Sequence, residues 1–409
     1  MGIFKQSVLK EYEIQMPYLM WMSASSCIGI KTYTRLQSFF ASPKEFYEGS
    51  GAKWEKCKIF TKKQIELLSE AKRTKNPQTE YEAMIKKGIN IVSIEEEIYP
   101  EKLREIKDAP ISLFYKGRLP EKNVPQIAVI GARACTNYGL LVAKRLGESL
   151  AFADMGVISG MARGIDAEAQ TSAVVAGGYS LAVLGTGPDI IYPRESKRLY
   201  EMLERGGGII SEYAPGMAAK PANFALRNRI ISGLSDVICV VEAKEKSGTM
   251  ITIDCALEQG REVYVVPGRI TDAVSIGCLE MIKQGAGVVT GISEFVDEIR
   301  SNYRVDAFTY LESKSNEAFS DKISSNGKYE NAFSTMGENF GKIVLNLPVD
   351  SFNVDEIIVK TGLDYGEVLL ALLSLEKEKM VNNLGAGRFS INKPCLDLID
   401  EFRKNFLAS

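Results

Sequence analysis

The chain of 409 residues contains no histidine. That removes Ser–His and Cys–His nucleophile pairs and every zinc site that needs imidazole. The commonest general base near neutral pH is missing as well, which weighs against catalysis. The seven cysteines are scattered and form no C-x-x-C pair. An odd, dispersed set reads as reduced thiols, the state expected in the cytoplasm. No apolar run approaches the roughly 20 residues of a membrane span, and no signal peptide is evident, so no membrane partner is expected. Neither G-x-G-x-x-G nor G-x-x-x-x-G-K-[ST] occurs, so dinucleotide and P-loop chemistry are disfavoured, and no cofactor or metal is implied. Basic excess is also lacking. Lys and Arg number 50 against 52 acidic residues, so any nucleic-acid binding must come from a local patch.

What is present is a soluble globular composition, 45% hydrophobic and 25% charged, in a chain long enough for two or three domains. Between Gln126 and Thr290, apolar strands alternate with helices of about 10 to 15 residues, which predicts an α/β fold with a doubly wound, mostly parallel, Rossmann-like sheet. Expected strands are Ile127–Ile130, Gly156–Ser159, Ser180–Leu184, Gly208–Ser211, Val237–Val241 and Glu262–Val266. Ile89–Ile94 and Ile111–Tyr115 are expected to extend that sheet.

In such a sheet the loops leaving the carboxyl ends of the strands meet along one crevice. Three of these loops are glycine-rich: Gly131-Ala132-Arg133, Ser159 to Asp166, and Ser247-Gly248-Thr249. Between the last two lies Phe224-Ala225-Leu226-Arg227-Asn228-Arg229, read as a fourth loop. Glycine lets backbone amides approach an anion, helix N-termini favour negative charge, and arginine forks suit phosphate. A phosphate-lined groove follows, with Arg133, Arg163, Arg227 and Arg229 as its cations. Competing readings pair Arg227 and Arg229 with Glu212 or Glu242 and bury Phe224 in the core. Asp166 is expected to cap a helix starting at Ala167, and Glu242 to accept from loop N–H groups.

These residues resemble the DNA processing protein A family (DprA/Smf). The likeness rests on Gly131 to Arg133, Ser159 to Asp166, Tyr192-Pro193, Arg227 to Ser235, Val241-Glu242-Ala243, Ser247 to Thr249, Gly260 to Val263, Val266-Pro267-Gly268 and Gly285-Ala286. It is strong over about 125–300 and weak on both flanks. The family order implies a helical SAM-like domain over 1–85, an extended Rossmann-like DNA-binding domain over 86–304 and a flexible linker over 305–339. A winged helix over 340–395 and a terminal helix or tail over 396–409 would complete the chain.

The resemblance also implies a non-enzymatic, homodimeric binder of single-stranded DNA that loads RecA recombinase during natural transformation. Arg133, Arg227 and Arg229 would contact the DNA backbone, and Phe224 would stack a base. Ser159, Gly160, Ser247 and Gly248 would hold phosphates through their amides. Arg163, Gly164, Lys220, Asn228 and Thr249 complete the implied DNA site, and Leu279 with Ile282 lies on the implied dimer surface. Ala132, Gln170, Ala225 and Thr249 depart from the family's usual serine, histidine, proline and serine, yet no cation or ring is lost. Two alternatives use the same cradle: a nucleoside-monophosphate phosphoribohydrolase, whose carboxylate position is taken by Thr252, and a nucleotide sensor.

On the flanks, the Ile28-Gly29-Ile30-Lys31 turn is similar to a helix-hairpin-helix turn, with Ile30 where a second glycine would stand. A packing role for these helices is the simpler reading. In the C-terminal region, helices are expected at 342–347, after Asn353 and from Asp364, followed by a hairpin around Gly385-Ala386-Gly387. Glu367, Glu376 and Glu378 outnumber Lys377 and Lys379 on the third helix, which favours protein contact over DNA reading.

Overall fold

A computed structural model describes residues 14–303, residue 26 excepted, and scattered parts of 343–392. The chain divides into two compact units, Met1–Asp306 and Ala307–Ser409.

The first unit opens with helix α1 over residues 14–23, then α2 (Ile30–Leu36), α3 (Pro43–Glu48), α4 (Gly51–Lys56), α5 (Lys62–Thr74) and α6 (Pro77–Lys86). Local chemistry sets their starts. Ser42 accepts from the Glu45 amide ahead of Pro43, and Thr61 with Gln64 forms a capping box. Their buried face gathers Trp21, Phe46, Trp54 and Leu68. The same cluster takes in Ile89, Ile91, Ile111 and Phe114, so the helices pack directly onto β1 (Asn90–Ser93) and β2 (Ser112–Gly117), which flank the short α7 (Glu101–Arg104).

The alternating core follows: β3 (Gln126–Ile130), α8 (Asn137–Phe152), β4 (Gly156–Ser159), α9 (Ile165–Val175), β5 (Ser180–Leu184), α10 (Lys197–Gly206) and β6 (Gly208–Ser211). Next come α11 (Pro221–Leu234), β7 (Val237–Val240), α12 (Gly248–Glu258), β8 (Glu262–Val265), α13 (Ile276–Lys283), β9 (Gly287–Val288) and α14 (Ile292–Asn302). The nine strands form one sheet in the order β1-β2-β6-β5-β4-β3-β7-β8-β9. From β6 to β9 every pairing is parallel, whereas β2 joins β6, and β1 joins β2, antiparallel. The expected Rossmann-like sheet and its two-strand extension are both present. Strands β3 to β7 are buried at every position, as expected of strands covered on both faces.

Chain order reverses where β3 lies between β4 and β7, which makes the carboxyl end of β3 the switch point. One expectation is corrected here. Residues 224–229 are not a loop but lie inside α11, which Pro221 starts from its first turn.

In the second unit, β10 (Phe352–Asn353), β12 (Arg388–Ile391) and β11 (Val381–Gly385) form an antiparallel sheet in that order. Helix α15 (Val354–Thr361) is capped by Asn353, as its sequence predicts, with 2.8 Å from the Glu356 amide to Asn353 Oδ1. Phe352 and Phe389 stack in its core, their centroids 6.4 Å apart. The expected linker and terminal helix, nearly all of the first helix, most of the third and the hairpin tip at 386–387 lie outside the described residues.

Candidate functional site

The crevice at the switch point is built on a floor of interlocked backbone. Gly164, at φ +79°, caps α9, and a Cβ there would sit 2.4 Å from the Ala132 carbonyl oxygen. A Cβ on Gly131 would lie 2.7 Å from Ile165. The loops after β3 and β4 therefore touch main chain to main chain, which only glycine permits. Thr136 caps α8, and its amide and hydroxyl both donate to Glu242, at 2.9 and 2.5 Å. Glu242 is buried at the end of β7, the fixed acceptor its sequence position suggested.

Asp166 does not cap a helix from Ala167, because α9 begins at Ile165. Its carboxylate lies in the first turn and accepts from the Gly160 amide at 3.1 Å, bracing the β4 loop. Burial pushes this carboxyl upward, while Arg227 and the Gly160 amide pull it back.

Helix α11 supplies the crevice wall. With 3.6 residues per turn, Phe224, Arg227, Asn228 and Ile231 share a face, and all four line a cavity of about 490 Å³ with Arg133, Ser247 and Thr249. Arg229, two residues beyond Arg227, points nearly the opposite way. It pairs with Asp108 at 3.0 Å and Glu212 at 2.6 Å, and it lines neither cavity bounded by Phe224. The internal pairing with Glu212 is thus the observed state of Arg229.

Arg227 is 4% exposed. Its Nη1 donates to the Gly160 carbonyl at 2.9 Å and also to that of Val183, and Nε donates to Asn228 Oδ1. Desolvation lowers its pKa to about 10. It is mainly a brace between α11 and the ends of β4 and β5, and its remaining edge lines the cavities on both sides of Phe224.

Phe224 is half-buried, 5.2 Å centroid to centroid from Tyr192, and stands between the first cavity and a second of about 550 Å³. Arg133 is exposed, borders both cavities and makes no ion pair or side-chain hydrogen bond among the described residues. Arg163 borders the second cavity and pairs with Glu195, both side chains being 62% exposed.

On the opposite wall, α12 points its N-terminus at the first cavity. Among the described residues, no atom lies within 4 Å of a would-be Cβ on Gly248, which opens the helix, and the buried Ser247 hydroxyl has no hydrogen-bond partner. The first N–H groups of a helix lack intrahelical acceptors, so this end suits an anion. Asn228 ties it to α11 by donating to the Gly248 carbonyl at 3.2 Å.

Other predicted residues are committed to the fold or lie off the crevice, although Gly160 still borders the second cavity. Ser159 is buried, its hydroxyl donating to the Val129 carbonyl at 2.7 Å, and the Gly160 amide is taken by Asp166. Gly164 packs against Ala132, and Lys220 is the exposed residue before α11, outside both cavities. Leu279 and Ile282 sit half-buried on α13, with Ile282 packed against the main core. Conversely, Tyr192, Arg194 and Lys244 line the cavities and were not anticipated. The loop after β5 and the Lys244-Glu245-Lys246 run after β7 also leave carboxyl strand ends, and that rule would have found them.

The sequence pattern of the family described as DNA recombination-mediator protein A matches residues 90–300. DNA processing protein DprA of Streptococcus pneumoniae is 41% identical over 206 residues, covering 50% of this chain and 73% of the relative. Protein Smf of Escherichia coli K12 is 34% identical over 307 residues, covering 75% of this chain and 78% of the relative. The X-ray structure of the pneumococcal DNA processing protein A superposes with a TM-score of 0.50 at 37% identity, over 56% of this chain and 85% of that one. Matched over the whole sheet that carries the crevice, and at these identities, the chain belongs to the DNA recombination-mediator protein A family.

Proposed function

We propose that the crevice binds single-stranded DNA without sequence preference and that the chain works by binding, delivering the strand to RecA recombinase during DNA uptake. The observation that carries this reading is Arg133, an exposed guanidinium at the switch point with no side-chain partner among the described residues, which lines the same cavities as the Phe224 ring. A cation takes phosphate and an aromatic face takes any base, a combination suited to single strands. The α12 N-terminus with Ser247, Gly248 and Thr249 supplies a further phosphate seat, while Arg227 and Asn228 hold the wall in place. Arg229 plays no direct part in the proposed site. Delivery to RecA during natural transformation and a cytoplasmic setting rest on family membership. Ile276, 44% exposed on α13 near the half-buried Leu279, supports the proposed homodimer contact there.

The test is a titration of the full chain against single- and double-stranded oligonucleotides over a range of salt. Single strands are expected to bind more tightly, and Arg133→Ala with Phe224→Ala to weaken that binding while circular dichroism stays unchanged. Equal affinity of both variants and the parent protein would remove the site. RecA delivery is read separately, as faster filament formation on strands bound by the protein.

A further inference from the structure

We propose that the cavity beyond Phe224 is a second nucleotide subsite, in which Tyr192 stacks a base and Arg163 with Arg194 takes a phosphate. It rests on the single-strand reading above and adds a base platform and a phosphate clamp to it. Four observations converge. The cavity measures about 550 Å³, within the roughly 300–1,000 Å³ of small-molecule sites. Tyr192 lines it and remains 45% exposed. The Tyr192 and Phe224 rings lie 5.2 Å apart at 36°, which places two aromatic faces at successive positions along one ledge. Arg133, Arg163 and Arg194, all exposed, surround that ledge.

A strand crossing the ledge would meet Phe224 as a divider. One base would rest against Phe224 in the first cavity, and a neighbouring base against Tyr192 in the second. Arg133, which borders both, would hold the intervening phosphate. Stacking is tolerant of sequence because every base has a π-face, and flanking guanidinium groups add cation–π attraction.

Glu195 is the one carboxylate lining this cavity among the described residues, and it is engaged with Arg163. Both partners are largely exposed, so the pair is weak and can exchange for phosphate. Glu195 thus competes with the incoming backbone for the clamp.

The experiment uses the full chain and a fluorescent oligothymidylate. Tyr192→Ala is expected to weaken binding about five- to 150-fold, the span reported for loss of one stacked base. Tyr192→Phe, which keeps the ring, recovers most of that loss. Glu195→Gln tightens binding roughly two- to fivefold at low salt, as expected from freeing one exposed ion pair. On the unsubstituted protein, irradiating an oligonucleotide carrying 5-iododeoxyuridine and mapping the peptide adducts should find Tyr192. Wild-type affinity in Tyr192→Ala together with adducts at Phe224 alone would overturn the subsite and leave the first cavity standing. No single-strand binding by the unsubstituted protein would instead overturn the underlying reading. Should Tyr192→Ala misfold, the Glu195→Gln titration and the adduct map decide the matter unaided.

Discussion

Arg227 and Gly160 are fitted to one another: the guanidinium donates to the Gly160 carbonyl at 2.9 Å, and a Cβ on that glycine would lie 2.5 Å from Nη2. The fit holds α11 against the ends of two parallel strands. Gly160→Ala should push the guanidinium off its carbonyls and lower stability by about 1–3 kcal/mol, the range for overpacking a filled interior. Arg227→Met should do similar damage by leaving buried carbonyls unpaired, at about 1–3 kcal/mol per group. Urea midpoints of the two variants check this, with Asn228→Ala as a milder comparison.

Arg133 and Arg229 separate binding from stability. Arg133→Ala removes an exposed cation that has no partner among the described residues, so stability should stay within about 0.5 kcal/mol of the parent. Its salt dependence for single strands should flatten by about 0.7 in the log–log slope, one phosphate contact's worth. Arg229→Met breaks contacts to Asp108 and Glu212 around a side chain only 13% exposed. It should lower stability by about 3 kcal/mol, the low end for a broken buried pair, because Asp108 is itself largely solvated. Its salt slope should be unchanged. Denaturation and filter binding on both variants test the contrast.

The Asp166 carboxyl gives a pH signature. Burial raises it above its ordinary 3.8. The folded state therefore takes up this proton more readily than the unfolded chain. Its contribution is most favourable below about pH 3.8 and is lost as pH rises through the folded value. Asp166→Asn should consequently gain stability over the parent at neutral pH, with the gain shrinking as pH falls. Thermal unfolding of both proteins across the acid range measures it.

These contrasts also explain what could be read in the residues and what could not. Strands β3 to β7 were legible because strands buried on both faces read as short apolar runs. The loops at their ends were legible by the same rule, which is why Arg133 and the Ser247 turn lie where expected. Helix α11 was not, because Phe224, Arg227 and Arg229 mix ring and charge without a clean period. Pro221, at its first turn, was the overlooked signal. Taken as a loop, Arg227 and Arg229 looked equivalent; on a helix, two residues' separation turns them to different sides. The burial of the Ser159 hydroxyl and the use of the Gly160 amide depend on Val129 and Asp166, contacts that sequence spacing does not specify.

Glycine at position 139 is a further point of failure. A Cβ there would come within 2.6 Å of the Glu242 carboxylate, which Thr136 already engages. Gly139→Ala should therefore lower the thermal midpoint even though alanine favours a helix interior, the sign being decided by the clash. Thr136→Val, which deletes the cap and one donor to Glu242, should cost about 0.5–2 kcal/mol. Calorimetry on the pair distinguishes a shared network from two independent losses, since coupled positions depart from additivity.

The main-chain contact between the Gly131 and Gly164 turns has a kinetic consequence. A surface whose base is set by peptide groups in van der Waals contact has little room to rearrange when a flexible polymer lands on it. Encounter should then be limited by charge and diffusion, and side-chain replacements along the lip should register chiefly as altered residence times.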